Sequence, residues 1–294
     1  MNFRLLKIIF ICILYTQPLL SQDLASKAIK LFTGSPHTFA TITSYVEVAE
    51  KTEFLRGSGE NVAVLSDWDD TINQTPGAWW QKNHDGSWFC PHTKRFRLEH
   101  EVDHTLRHPE AASIIKRIRS RNITFMVTTA RPPVIDTVLN TMAQDMNIHP
   151  NLMDARQAGN PDLIDYDEIH KGIYKLLSDM EQTELLGLTK VKISTMSQTS
   201  GIDLSGQDLA LSGHIVVIDD HHVYSYHDGF AFIGHNKGPG MLKLLPTLRL
   251  PKGHLVIVDD SARALGSYLD EAIIKSFEDQ GYTLHLLHYP VPVA

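Results

Sequence analysis

The stretch "VAVLSDWDDTINQT", Val62 to Thr75, decides how the rest of the chain is read. A short apolar run ends by delivering three aspartates, Asp67, Asp69 and Asp70, within four positions. Carboxylates so close together repel one another, and any burial adds a desolvation cost, so a strand that sets them at its mouth implies a cation there. The remainder of the chain then has to supply that cation's other ligands.

Around this stretch lie 294 residues, 43% hydrophobic and 21% charged, a composition that suits one large core with a smaller accessory unit. The first residues differ. Arg4 and Lys7 precede the apolar run "IIFICILY", and "TQPLLSQD" follows with small Ser21 at a cleavage point, the layout of a secretory signal peptide over residues 1–21. Eight unbroken apolar residues fall short of the roughly 20 a spanning helix needs, so the expectation is export to a periplasm or the medium, with no stable membrane insertion after cleavage. Cleavage would remove two basic residues and no acidic one, taking the formal charge from −7 to −9. An acidic chain is a poor match for nucleic acid. Of two cysteines, Cys12 lies in the signal, which leaves Cys90 as a lone thiol with no disulfide to form.

Hydrophobic spacing orders the elements. Residues 22–61 read as a helical lead-in, with Phe39, Ile42, Val46 and Ala49 at helical spacing from Phe39 to about Leu55 before "RGSGEN" breaks it. The strand Val62–Ser66 opens a core that runs to residue 294. Residues 72–107, rich in Trp, His and Gly, read as a cap-like excursion, and a helix at "HPEAASIIKRIRSRN" leads into the strand "ITFMVTT". Another helix is expected from about Val134 to Met146, then an insertion at about 149–212 holding a helix from Tyr166 to Met180. There follow "HIVVIDD", a hairpin through "YSYHDGFAFIG", the stretch "HNKGPGMLKLLPTL", the strand "HLVIVDD", a helix from about Ala262 to Glu278 and a last strand "TLHLLHY". Alternation of strands and helices implies an α/β fold, a parallel sheet with helices on its faces. In such a sheet ligands bind outside the carboxyl ends of the strands.

Those ends carry the chemistry: Asp67, Asp69 and Thr71; Thr128, Thr129 and Arg131; Lys237 before a glycine-rich helix start; and Asp259 with Asp260. In this order they resemble the four motifs of the haloacid dehalogenase (HAD) superfamily of phosphohydrolases. Asp67-Trp68-Asp69-Asp70-Thr71 resembles its Asp-x-Asp-x-Thr motif, "FMVTTAR" its strand closing on Ser or Thr, aligned at Thr129, Lys237 in "NKG" its lysine, and "LVIVDD" its paired acids. The leading helix and "YHDGFAFIGHNKG" are further similar to an exported bacterial subgroup.

The resemblance implies a Rossmann-like three-layer fold with a small cap, and an exported Mg²⁺-dependent phosphatase acting on small phosphate monoesters. Asp67 would be the nucleophile, passing through an aspartyl-phosphate, and Asp69 the general acid and base. Mg²⁺ would be held by Asp67, the main-chain carbonyl of Asp69 and Asp259, with Asp260 and Thr71 in its outer sphere. Thr129 would hydrogen-bond the phosphoryl oxygens and Lys237 offset their charge. Other readings stand beside these. "IVVIDD" also ends in paired acids, Asp219 and Asp220, and could serve as the fourth motif with Lys190 or Lys192, although Lys237 and Asp259 make the more compact crossover. In "DDHHVYSYH", His221, His222 and His227 could hold a metal, but neighbouring strand residues point to opposite faces, which favours a solvated or hairpin role. Trp79, Trp80, Trp88 and Phe89 would either meet the substrate or pack the cap. The competing function is an exported, non-catalytic binding or effector protein with this fold.

Overall fold

The computed structural model describes residues 22–74, 81–82, 88–89, 105–135, 138, 174–207, 209–219 and 222–290. The expected signal peptide, Cys12, Cys90, Trp79 and Trp80 lie outside them, as do nearly all of the helix expected at Val134–Met146 and residues 166–173 of the one expected at Tyr166–Met180; residues 174–178 are helical.

Eight strands form one sheet: β1 (Thr38–Thr41), β2 (Val62–Asp67), β7 (Thr124–Thr129), β8 (Ile215–Asp219), β9 (His222–His227), β10 (Phe230–Phe232), β11 (Gly253–Asp259) and β12 (Tyr282–His288). Two-residue strands β3 (Asn73–Gln74) and β6 (Thr105–Leu106) pair with each other, as do β4 (Gln81–Lys82) and β5 (Trp88–Phe89). The order across the large sheet is β1-β12-β11-β2-β7-β10-β9-β8. The first six run parallel, while β9 is antiparallel to both of its neighbours, so the sheet is mixed where a parallel one was expected. The cause is local. Asp228 and Gly229 both take positive φ, 42° and 81°, the geometry of the two-residue turn that folds β9 back onto β10. A side chain at Gly229 would also strike Leu204, whose Cβ would lie 2.7 Å from the new carbon.

The helices are α1 (residues 22–32), α2 (Val46–Gly57), α3 (Ala111–Ser120), α4 (Gln182–Ser200), α5 (Lys237–Leu244), α6 (Ala262–Gly266) and α7 (Glu271–Asp279). The helix expected from Phe39 starts later. Residues Thr38–Thr41 instead pair with His285–His288, and the helix begins where Glu47 Oε1 accepts the main-chain N–H groups of Thr43 and Ser44 at 2.7 and 2.9 Å. Strand pairing and β-branched Thr38 and Thr41 outweigh a weak helical period there. At the other end of the chain, Asp270 accepts the N–H groups of Ala272 and Ile273 and so sets the start of α7.

Alternate residues of β2 enter two separate apolar clusters. Ala63 and Leu65 pack with Leu24, Phe32, Met241, Leu265 and Phe277, whereas Val62 and Val64 pack with Val48, Leu55, Ile115, Ile118 and Ile193. Every residue of β2 is buried, as expected of a strand with neighbours on both edges and helices over both sets of side chains. Its last residue, Asp67, is therefore delivered into a largely dry setting. Among the described residues no helix is long and apolar enough to cross a membrane.

Candidate active site

Beyond β2 the chain reverses in five residues. The Trp68 carbonyl accepts the N–H groups of both Ile72 and Asn73, at 3.1 and 2.9 Å, and the buried Trp68 indole packs edge-on against Phe230. Asp70 takes the left-handed backbone, φ 54°, and its carbonyl accepts a hydrogen bond from the Arg107 guanidinium. That guanidinium also donates to the Tyr289 carbonyl at 2.8 Å and lies 3.7 Å over the Tyr289 ring centre. The aspartate-bearing turn is thus held to the end of the last strand, which keeps its carboxylates where the neighbouring strands end.

Sheet register supplies the partners. Asp67 is level with Thr128 on β7, and Ser66 is level with Val258 on β11, so Asp259 ends its strand beside Asp67. Lys237, the first residue of α5, reaches between them. Its Nζ donates to Asp67 Oδ1, to Asp259 Oδ2 at 2.6 Å and to the Thr128 carbonyl at 3.3 Å. The approach depends on Gly238, because a Cβ there would stand 2.4 Å from the Ser267 carbonyl oxygen, and the Gly238 N–H donates to Ser267 Oγ at 2.9 Å. Asp259 Oδ1 in turn accepts the Ser261 N–H at 2.9 Å.

Three carboxylates, Asp67, Asp259 and Asp260, bring one oxygen each within 4.8 Å of one another. Asp260 is fixed by Thr71, which donates to Asp260 Oδ1 at 3.2 Å and accepts the Asp260 N–H at 3.0 Å, while His288 Nε2 meets the Asp260 carbonyl at 3.0 Å. Lys237 is one cation against three acids, and the electrostatics show the imbalance. Burial lowers the Lys237 pKa, but Asp259 and Asp67 outweigh it and raise it overall, so the ammonium stays charged. Burial pushes Asp67 well up, with Asp259, Asp260 and Asp69 adding to the effect and Lys237 opposing it. Burial, then Asp259 and Asp70, push Asp260 up to about 7. A hard divalent cation fits this donor set: oxygen ligands only, an excess of negative charge, and two acids almost wholly removed from water.

Asp69 stands beside this cluster and faces Arg131. The guanidinium holds the carboxylate through both oxygens, with Nε 2.7 Å from Oδ2 and Nη2 on Oδ1. Arg131 follows β7 directly, and its main-chain N–H donates to Thr129 Oγ1 at 3.1 Å. Thr129 therefore reaches the site through Arg131, and its buried hydroxyl makes no direct hydrogen bond to Asp67 or Lys237 among the described residues.

Asp67, Asp69, Thr71, Thr129, Lys237, Asp259 and Asp260 thus gather at this one rim, where Asp260 offers an oxygen to the same cluster as Asp67 and Asp259. Of the rival pair, Asp219 does not join it, and Asp220 lies outside the described residues. Asp219 ends β8, separated from β2 by β9, β10 and β7, and its carboxylate accepts the His222 N–H at 2.9 Å and faces Lys243 at 3.8 Å. Lys190 and Lys192 belong to α4. His222 lies between the rings of Tyr174 and Tyr224, at 5.1 and 5.6 Å. Arg107 and Arg131 were not singled out by motif for the roles they take. For Arg131 the signal was its place directly after a strand end in "TTAR"; for Arg107, 37 residues from its acceptor, there was none.

Compared with known proteins, the chain matches no family model, no curated protein and no solved structure. The functional reading therefore stands on the site.

Proposed function

We propose that this chain is an exported, Mg²⁺-dependent phosphatase of the HAD type that hydrolyses small phosphate monoesters. One observation carries the reading: a buried lysine joins two aspartates that end adjacent parallel strands, with a third acid within ligand distance. The two apolar clusters, drawing on different helices from alternate residues of β2, support a three-layer, Rossmann-like arrangement for the core.

Asp67, Asp259 and Asp260, with the Asp69 carbonyl, would hold the Mg²⁺, which when bound neutralises charge on the phosphoryl oxygens. An oxygen of Asp67 attacks phosphorus in line, forming an acyl phosphate bond as the bond to the leaving alcohol's oxygen breaks. Asp69 gives its proton to that oxygen, then accepts one from the water that hydrolyses the aspartyl-phosphate and releases inorganic phosphate. Lys237 offsets charge on the nucleophile and the transferred group, and the Thr129 hydroxyl donates to a phosphoryl oxygen. Arg131 holds Asp69 as a carboxylate, the form needed for the second step; the first step requires that pair to open so that Asp69 can carry a proton.

The test is hydrolysis of p-nitrophenyl phosphate with Mg²⁺ or with EDTA, comparing wild type with Asp67→Asn. The expected result is Mg²⁺-dependent turnover that falls about 10³-fold or more in the variant. Equal rates from the two proteins, or no turnover across a broad panel of phosphate esters, would overturn the proposal in favour of a non-catalytic binding protein.

A further inference from the structure

We infer that β8 and β9 carry a second metal site, for a transition ion such as Zn²⁺, built on His214 and His227. The two residues are cross-strand neighbours, because Ile215 is level with Tyr226. They lie at the opposite end of this strand pair from Asp219, with β10 and β7 between β9 and β2. On the same face, Val216 and Val223 pack with Leu185 and Leu188 of α4, so the histidines stand at the margin of an apolar layer.

Unused nitrogens are the first argument. His214 Nδ1 and Nε2 and His227 Nδ1 are all buried without a hydrogen-bond partner. The Tyr226 and Gly213 carbonyls lie near the rings but outside hydrogen-bonding geometry. A buried polar nitrogen without a partner is costly to the fold, so three on two rings call for an occupant.

Orientation is the second. His227 Nε2 lies 3.1 Å from Asp228 Oδ2, so the carboxylate favours the tautomer that carries the ring proton on Nε2 and leaves the Nδ1 lone pair bare. A carboxylate behind a histidine is the usual way a metal-binding imidazole is fixed in its tautomer. Asp228 is available for this because it occupies the turn, where its positive φ fixes the chain direction.

Spacing is the third. The ring centres are 5.7 Å apart at 71°. Two imidazoles sharing one ion at N–metal distances of about 2.0–2.1 Å place their centres on the order of 5–6 Å apart. Burial holds His214 down to about 4 and lowers His227, so both rings are neutral near pH 7, as ligands must be. Lys190, the cation acting on both, is exposed and can turn outward.

Nitrogen donors select Zn²⁺, Ni²⁺, Cu²⁺ or Co²⁺ over Mg²⁺, which separates this site from the aspartate rim. Two protein ligands leave the other positions to water, an exchangeable site open to a further ligand.

The test is a Co²⁺ titration of the purified protein in excess Mg²⁺, read by visible absorption, with Zn²⁺ used to displace the signal. One saturable site is expected, lost in His214→Gln and His227→Gln and weakened about 10–100-fold in Asp228→Asn. Circular dichroism of each variant checks that it is folded, and wild type alone should gain thermal stability from Zn²⁺. Absence of saturable Co²⁺ binding, or binding unchanged in folded His214→Gln, would overturn the site and leave ordered water as the occupant of the gap. Both results are independent of phosphatase activity.

Discussion

The Lys237 ammonium lies 2.6 Å from Asp259 Oδ2, and both residues are at most 2% exposed. Such a contact offsets the desolvation of its partners only while the cation is present. Lys237→Met leaves Asp67 and Asp259 buried with no cation between them, and a loss of about 3–5 kcal/mol in urea unfolding in EDTA is expected. Mg²⁺ should stabilise this variant more than it stabilises wild type, since it supplies the missing positive charge. A variant within about 1 kcal/mol of wild type in EDTA would show that the lysine is not offsetting the acids.

The Arg131–Asp69 pair makes a different prediction, because it is partly exposed and acts on geometry more than on stability. A lysine at 131 keeps the charge but loses the fork of two N–H groups. Arg131→Lys should leave unfolding within about 1 kcal/mol of wild type. Turnover of p-nitrophenyl phosphate should nevertheless fall, with kcat affected more than KM, as Asp69 loses its fixed orientation. Asp69→Asn, which removes the proton carrier, should cost about 10²–10⁴-fold in kcat. If Arg131→Lys turns over as wild type does, the pair has no part in positioning Asp69.

Gly238 tests the placement of Lys237 without touching its charge. A methyl group at 238 meets the Ser267 carbonyl oxygen at 2.4 Å and its carbon at 2.8 Å, both rigid main-chain atoms, so the start of α5 has to shift. Gly238→Ala is expected to lose about 1–3 kcal/mol and to displace the lysine from its two acids. Thermal melts check the first part, and the Mg²⁺-dependent rate of the folded variant checks the second. Wild-type stability in the variant would mean that helix and Ser267 can separate at little cost.

Strand ends were the most legible feature of the sequence, and for a physical reason. A buried parallel strand needs an unbroken apolar run, and polar residues directly after it stand at the rim, so the polar ends at Asp67, at Thr128 and Thr129, and at Asp259 are legible from spacing, while only the family resemblance singles out Thr129 from Thr128. The hairpin was legible in "HDG", because Asp228-Gly229 suits the paired positive φ angles. The strand at Thr38–Thr41 was not, since its main-chain partners lie more than 240 residues away on β12, and such pairing leaves no local period. Arg107 and the His214–His227 pair were hidden for the same reason. In the sequence His227 reads with its near neighbours, whereas its partner His214 stands directly before the adjoining strand.

His285 links the pH dependence of stability to the same edge of the sheet. On β12 its Nε2 lies 2.8 Å from His254 Nδ1 and its Nδ1 lies 2.7 Å from Thr38 Oγ1, and His254 in turn pairs with Glu60. Burial, followed by Lys51, His254 and His37, holds His285 down to about 3. An unfolded chain binds a proton at this residue near pH 6.5, so between about 6.5 and 3 the unfolded state carries more protons than the native one. Stability from this source is therefore complete above pH 6.5 and is lost as the pH falls, by up to about 1.4 kcal/mol per pH unit. His285→Asn removes the titrating group while keeping a polar side chain. Urea unfolding of both proteins at pH 7 and pH 5 should show wild type losing more stability on acidification than the variant, with all other titrating groups common to the two. Equal losses would mean that the native fold admits the protonated ring, with Glu60 drawing the charge through His254.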